Sequence, residues 1–564
     1  MSGEKRESAP NLADDAARNT VTLNPLVGIQ PNDLAEAAKT VIKAFASQPA
    51  MVAEHWLSFM GQLGKVLTGQ GEGAPQPGDK RFNDPAWKSS AIHRALMQSY
   101  LAWGSTVNAL VEKIELPAAD AARARLVTQI FVDAMAPSNM VIGNPAALRE
   151  MIDSGGQSLW RGVKNFMNDL ANNGGLPSQV DLTAFKVGGN LANTPGAVVF
   201  RNEVIELVQY TPPGSEVFSR PIVIVPPQIN KYYAVDLSPD KSMIRFLLNN
   251  SLQVFCISWR NPTAEQRDWG LDTYIAAVDA AIDAAREITG SADVNIMGSC
   301  SGGITVSTYL AWLAAQKKKK VNGVVIAVCV LDTESTGDTQ FSALVTPETI
   351  MAAKQVSGVK GVLDGQELAR MFAWMRPNDL IWNYWVNNYL MGKQPPAFDV
   401  LYWNADTTRL PARLHHDYLD LIFTNPFMNA DKMSINGTPI DMRKVKHETY
   451  VIAGTTDHIT PWKACYQTAR IFGEKTTFVL SNSGHLQSLL NPPGNPKSWF
   501  VSAPAKQTDA DQWAASAKKH EGSWWMHWKD WLGERSGDKI PSVKAPGSKQ
   551  HAALAPAPGT YVFE

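Results

Sequence analysis

Gly298-Ser299-Cys300-Ser301-Gly302-Gly303 stands between a short apolar run, Asp293-Val-Asn-Ile-Met297, and a stretch of helical spacing from Ile304 to Gln316. A strand that turns directly into a helix at G-x-nucleophile-x-G exposes the middle side chain at the tip of a sharp bend, here with cysteine where serine is usual. The glycines have a steric reason: without side chains at those positions, strand and helix can approach closely enough to make the bend. The turn sets the sulfur at a helix N-terminus, whose backbone N–H groups favour the thiolate, the reactive form. Cys300 is therefore the candidate nucleophile. The alternative, a small buried cysteine in a glycine-rich turn, leaves the strand–turn–helix context unexplained.

Upstream of this bend, Val198-Val-Phe200 and Ile205 to Tyr210 read as a hairpin, and Pro221 to Pro226 and Leu252 to Trp259 as buried strands. Leu271, Tyr274, Ile275, Val278, Ile282 and Ile288 mark one face of a helix. Downstream, Val321 to Leu331, Glu448 to Ala453 and Thr476 to Leu480 supply three further strands. Strands alternating with helices predict a mainly parallel, doubly wound α/β sheet, and the elbow specifies an α/β-hydrolase fold. Two stretches break the rhythm. Pro31 to Asp169 has helical spacing, divided by the Gly/Pro-rich segment Thr68 to Gly78. Residues 1–196 are thus expected to form a mainly helical N-terminal domain, with roughly the first 25 residues frayed. Residues 197–564 form the hydrolase domain. Within it, about 338–443 is helical and Trp-rich between two strands, which predicts a cap inserted over the sheet's C-terminal edge, a place for a lid.

A nucleophile elbow calls for an acid and then a histidine further along the chain. Tyr450-Val-Ile-Ala-Gly454-Thr-Thr-Asp457 is a strand running into a loop with an acid, and Phe478-Val-Leu-Ser-Asn-Ser-Gly484-His485 is the next, ending on a histidine. His485 would accept the thiol proton, and Asp457 would orient it or join a second proton transfer. Asp332, after another strand, is a rival acid, and His458 a rival base; the His415-His416 pair on the cap has no nearby ligand partners and reads as structural. The oxyanion donors should be the backbone N–H of Ser301 and one in the loop Pro226-Pro-Gln-Ile-Asn230, from Gln228 or Ile229, with Ile229 preferred. Lys317 to Lys320 close the elbow helix, where cations suit the helix dipole; holding a phosphate-bearing substrate is the second reading.

Composition narrows the function classes. A net charge of −1 and a sequence pI near 6.8 give no electrostatic reason to bind nucleic acid or an anionic membrane. The opening Met1-Ser-Gly-Glu-Lys-Arg6 is polar and leads into no apolar segment, so no secretory signal is read, and the longest apolar run, Val324 to Leu331, is too short to span a bilayer. The four cysteines, Cys256, Cys300, Cys329 and Cys465, are scattered without a C-x-x-C pair, which predicts a reduced cytoplasmic protein with no zinc site. Cys256 and Cys329 are placed in strands and Cys465 in a helix, as core residues. The 18 tryptophans imply either aromatic packing or a surface for an apolar ligand. Trp374, Trp382, Trp385 and Trp403 in the cap read as core or acyl tunnel. Trp524 to Trp531 reads as a helix packed on the sheet, or one touching hydrophobic polymer.

Cysteine at an elbow fits a thioester substrate such as an acyl-CoA. Exchange of one thioester for another is nearly balanced in energy, and the bound acyl group stays activated for downhill transfer to a hydroxyl. Such transfer needs water excluded, which a Trp-rich cap would do.

Several stretches together resemble the polyhydroxyalkanoate synthases. They are the elbow, Pro226-Pro-Gln-Ile-Asn-Lys-Tyr-Tyr233, Ser258-Trp-Arg-Asn-Pro262, Asp268-Trp-Gly-Leu271, Asn193 to Phe200, Tyr402-Trp-Asn-Ala-Asp-Thr-Thr408 and Asp457-His-Ile-Thr-Pro-Trp462. The likeness runs from about Phe82 to near Trp531 and is nearest the pseudomonad-type class that polymerises medium-chain monomers. It implies transfer of (R)-3-hydroxyacyl groups from CoA to a growing polyester, with CoA released and no bound cofactor. It also implies a homodimer on storage granules in the cytoplasm. By position, Cys300 carries the acyl group, His485 is its base and Asp457 the acid partner. Whether Asp457 or His485 activates the incoming 3-hydroxyl stays open. A thioesterase or depolymerase of the same fold is the alternative, as is a non-catalytic granule-coating protein.

Overall fold

The computed structural model describes residues 39–564 except 40, 44, 77, 78, 115, 117, 337–346, 376, 431 and 458. The start expected to be frayed, the first residues of the expected cap and His458 lie outside the described residues, as does the end of the Gly/Pro-rich break.

An eleven-stranded sheet organises the chain. Its strands are β1 (Gly196–Arg201), β2 (Ile205–Tyr210), β3 (Ile222–Val225), β4 (Val254–Trp259), β5 (Val294–Ser299), β6 (Val321–Ala327), β7 (Glu448–Gly454), β8 (Thr476–Ser481), β9 (Trp499–Pro504), β10 (Lys518–Glu521) and β11 (Ala555–Pro556). The spatial order is β10-β9-β8-β7-β6-β5-β3-β4-β2-β1-β11. The centre, β8 through β4, is parallel, and both flanks are antiparallel. The expected hairpin is β1 with β2, and the expectation of a mainly parallel sheet is corrected by the further antiparallel pairings of β4, β9, β10 and β11. Antiparallel β9 and β10 escape the pattern because β10 is Lys518-Lys-His-Glu521, a polar edge strand with no apolar face to read.

The central strands read as unbroken apolar runs because both of their faces are covered. In β6, Val324 and Ile326 join the core cluster under helices Leu271–Thr289 and Ser301–Ala315, while Val325 and Ala327 join the one beneath Met243–Asn249 and Trp524–Gly533. β7 divides the same way, Val451 and Ala453 against Tyr450 and Ile452, as a side-chain period of two requires. Trp524, Trp525 and Trp528 are fully buried in the second cluster, so this helix packs on the sheet and its tryptophans are core. β6 ends at Ala327, earlier than expected, leaving Cys329 just past the strand yet still buried. Cys256 lies in β4 and Cys465 in helix Trp462–Ile471, both buried.

Between β6 and β7 the cap carries helices Pro347–Lys360, Gly365–Met375, Asp399–Ala405 and Ala412–Thr424, with wide π-helical turns at Asn378–Trp382 and Trp385–Leu390. The N-terminal helices include Pro49–Leu67, Ala91–Lys113, Ala118–Ala134 and Gln157–Asn172. The last of these lies against the cap. A Cβ on Gly162 would collide with the Tyr389 carbonyl, the Tyr389 hydroxyl donates to Asp169 Oδ2 at 2.7 Å, and Asn165 Nδ2 donates to the Asn388 carbonyl at 2.9 Å. Trp382 and Trp385 are spent in this seam, where Trp385 meets Phe166 and Tyr389 edge-on.

Candidate active site

β5 ends at Ser299 and the following helix begins at Ser301, so the single residue between them makes the whole turn. Cys300 does so at φ +50° and ψ −124°, a strained conformation for a residue with a side chain. Its N–H is held by the Ala327 carbonyl at 2.9 Å, and its own carbonyl accepts from Gly303 N at 2.9 Å. The glycines are required by the close approach. A Cβ on Gly298 would stand 2.5 Å from the Gly302 carbonyl oxygen, and one on Gly302 would collide with the Val225 carbonyl. Gly302→Ala is accordingly expected to lower stability by about 1–3 kcal/mol, the usual cost of overpacking, read from urea unfolding. An unchanged midpoint would mean that β3 and the elbow helix are less tightly joined.

The two loops that follow β7 and β8 bring Asp457 and His485 to the same end of the sheet as Cys300. They lie against each other, since a Cβ on Gly454 would collide with the Ser483 carbonyl. His485 Nδ1 meets Asp457 Oδ2 at 2.8 Å. Asp457 is also fixed by Ile459 N and Thr460 N on Oδ1, each at 2.9 Å, and by Thr460 Oγ1 on Oδ2 at 2.7 Å. With Nδ1 so engaged, and Thr460 Oγ1 3.2 Å from it as well, Nε2 is left to face the Cys300 sulfur, which helps to hold the ring's proton. Burial alone would push His485 down and Asp457 up. Their mutual attraction outweighs it: His485 is raised to about 10, and Asp457 is held below the ordinary carboxylate range. The arrangement can move a proton from sulfur to imidazole while a buried carboxylate stabilises the resulting cation. Thr460 was not singled out from the sequence; the signal was an Asp followed three residues later by a threonine, a local turn that clamps the carboxylate.

The rivals sit elsewhere. Asp332 Oδ1 accepts from Asn425 Nδ2 at 2.9 Å and caps a turn at Glu334. His415 Nδ1 bonds Ser357 Oγ at 2.8 Å and His416 Nε2 bonds the Lys354 carbonyl at 2.8 Å, both inside the cap. Lys320 pairs with Asp279 and Asp283, each at 2.7 Å, and Lys318 lies over Trp312, so these two lysines close the helix end on the protein itself.

Of the loop donors weighed for the oxyanion, Gln228 N already donates to Ser301 Oγ at 3.3 Å, whereas Ile229 lines the cavity over Cys300. That cavity, about 40 Å³, is walled by Pro226, Val328, Trp403 and Leu486 beside Cys300 and His485. It has room for a few water molecules at most. Among the described tryptophans of that group, Trp403 is therefore the one that lines the site.

Long-range ties hold the loop after β3 against the cap. Trp403 Nε1 donates to the Lys231 carbonyl at 2.7 Å, Thr408 Oγ1 to the Gln228 carbonyl at 2.8 Å, and Tyr233 OH to Asp406 at 2.8 Å. Tyr418 OH and Thr305 Oγ1 grip the Gln228 carboxamide at 2.8 and 2.9 Å. The Lys231 ammonium is drawn down by burial, against Asp406 at 3.6 Å, and donates to the Val562 carbonyl at 2.6 Å. None of these partners is near the loop in sequence.

Residues 78–247 match a family model described as Poly-beta-hydroxybutyrate polymerase (PhaC) N-terminus, and residues 221–492 match the alpha/beta hydrolase fold. Over 553 residues the chain is 49% identical to poly(3-hydroxyalkanoate) polymerase 1 of Ectopseudomonas oleovorans, with 98% of each chain covered. The chain belongs to the poly(3-hydroxyalkanoate) polymerase family. Polymerase 2 of the same organism is 46% identical over 98% of this chain and 100% of its own. The polymerase subunit of Cupriavidus necator is 37% identical over 97% and 91%. These polymerase matches take in the N-terminal helices as well as the sheet, cap and elbow. Among the described residues, no helix is long and apolar enough to cross a membrane.

Proposed function

We propose that this polymerase-family chain transfers (R)-3-hydroxyacyl groups, of medium chain length, from CoA to a growing polyester through a thioester on Cys300. His485, raised to about 10 and so protonated at neutral pH, holds the proton given up by the thiol, and the Cys300 sulfur attacks the thioester carbonyl. Backbone N–H groups of Ser301 and Ile229 hold the oxygen that becomes negative. As the tetrahedral adduct collapses, the C–S bond to CoA breaks and His485 returns its proton to the departing thiolate. The acyl group on Cys300 is then passed to a hydroxyl, with an ester C–O bond formed, the Cys300 C–S bond broken, and the hydroxyl's proton moved through the His485–Asp457 pair to the released sulfur. Neither step changes an oxidation state, and Cys300, His485 and Asp457 supply the proton transfers, so the reading calls for no bound cofactor.

The observation that carries it is a cysteine at a strained elbow, backed by a buried His–Asp pair, under a small apolar cavity that Trp403 of the cap helps to wall. Excluding water favours an alcohol acceptor over hydrolysis. The full-length likeness to named polymerases supports this over a thioesterase of the same fold, and the higher identity to the pseudomonad relatives supports medium-chain units. We assign to the same reading a homodimer at the surface of cytoplasmic polyester granules.

The test follows CoA release from (R)-3-hydroxydecanoyl-CoA together with insoluble polymer in one vessel. One polymerised unit per CoA is expected. CoA release with only free hydroxy acid would make the chain a thioesterase and overturn the acceptor.

A further inference from the structure

Ile229 and Asn230 line both the small cavity over Cys300 and a larger one of about 510 Å³, which lies between helix Gln157–Asn172, the cap and the same loop. Asn230 therefore lies where the two adjoin. Its side chain is only 6% exposed, yet its Nδ2 has no hydrogen-bond partner. The backbone around it is fixed, by the bridge between Asn230 and Thr407 and by the Trp403 bond to the Lys231 carbonyl. A buried donor on a fixed backbone, with nothing to donate to, is uncommon in native proteins and points to a ligand atom that completes it.

We infer that the Asn230 carboxamide binds the oxygen on C3 of the 3-hydroxyacyl group and so selects hydroxylated acyl chains over plain ones. This rests on the acyl-transfer reading above. With the thioester carbonyl taken by the N–H groups of Ser301 and Ile229, the acyl group has one polar atom left, the oxygen two carbons further along. Asn230 follows Ile229 in the loop and lines the same cavity as Cys300. The rest of the acyl chain is hydrocarbon and meets the apolar walls. A donor is the appropriate group, because the same oxygen is a hydroxyl in the incoming unit and an ester oxygen once joined, and both accept a hydrogen bond.

The test uses the full chain with Cys300→Ala, which removes chemistry, and measures binding of (R)-3-hydroxydecanoyl-CoA and decanoyl-CoA by calorimetry. With Asn230 present, the hydroxylated ligand is expected to bind about tenfold more tightly, the effect of one buried hydrogen bond. Asn230→Leu, of similar size without a donor, is expected to abolish that preference while leaving decanoyl-CoA within about threefold. Asn230→Ala serves the same purpose if the leucine variant does not fold. An unchanged preference in the variants, or no preference with Asn230 present, would overturn the inference. Equal weakening of both ligands would also do so, by assigning Asn230 to an atom they share. Failure of the Asn230-containing protein to bind either acyl-CoA would overturn the acyl-CoA reading itself, and this inference with it.

Discussion

Cys300→Ala is expected to lower CoA release from (R)-3-hydroxydecanoyl-CoA by at least about 10⁴-fold and to abolish polymer, because no other group is placed to carry the acyl chain. The other three cysteines are buried, and the Cys465 sulfur is engaged by the Thr460 carbonyl at 3.5 Å. Burial pushes all three thiols well up, so none competes as a thiolate at neutral pH. The fold should survive the change. Cys300 fills little space, and alanine meets the same positive φ that cysteine already tolerates. Thermal unfolding within a few degrees of wild type, alongside lost turnover, would separate chemistry from stability. Retention of more than a few per cent of the rate would remove Cys300 from the nucleophile's role.

Asp457→Asn is expected to lower kcat/KM by about 10³–10⁴-fold, since the amide keeps the shape but presents the wrong partner to His485 Nδ1. The same substitution has a signature in stability. His485 is raised to about 10 in the folded chain against about 6.5 unfolded, so the pair's contribution is complete below about 6.5 and is lost as pH rises through about 10. Asp457 is held low, so its share is present above about 3.9 and is lost as pH falls through its depressed folded value. Without the carboxylate, His485 loses the main attraction that offsets its burial. Wild type should therefore lose thermal stability between pH 6.5 and 10 by an amount that Asp457→Asn does not. Parallel melting curves for the two proteins would contradict the assignment.

What could be read in the sequence was the chemistry that is local. The bend at Cys300 is written in adjacent glycines, and Asp457 and His485 each follow a short apolar strand by a few residues. The parallel centre of the sheet was legible for a related reason: both faces are buried, so each strand is an apolar run. The parts that were not legible depend on distant pairings. β10 has a polar edge sequence and β11 is two residues long, and only their partners make them strands. The ties from Trp403, Thr408 and Tyr418 to the Gln228–Lys231 loop join segments far apart in the chain. So does the seating of helix Gln157–Asn172 on the cap. Asn230 could be quoted from the sequence as part of a resemblance, but its unpaired Nδ2 is a property of packing.

The central claim is that the acyl group rides on Cys300, and it is tested most directly by stopping the reaction. Wild-type protein mixed with (R)-3-hydroxydecanoyl-CoA, quenched in acid and digested, should show a 3-hydroxydecanoyl or longer oligoester mass on the peptide bearing Cys300, removable by neutral hydroxylamine as a thioester is. Acyl mass on Ser301 or on another peptide, or CoA release with Cys300 unmodified throughout turnover, would contradict the account.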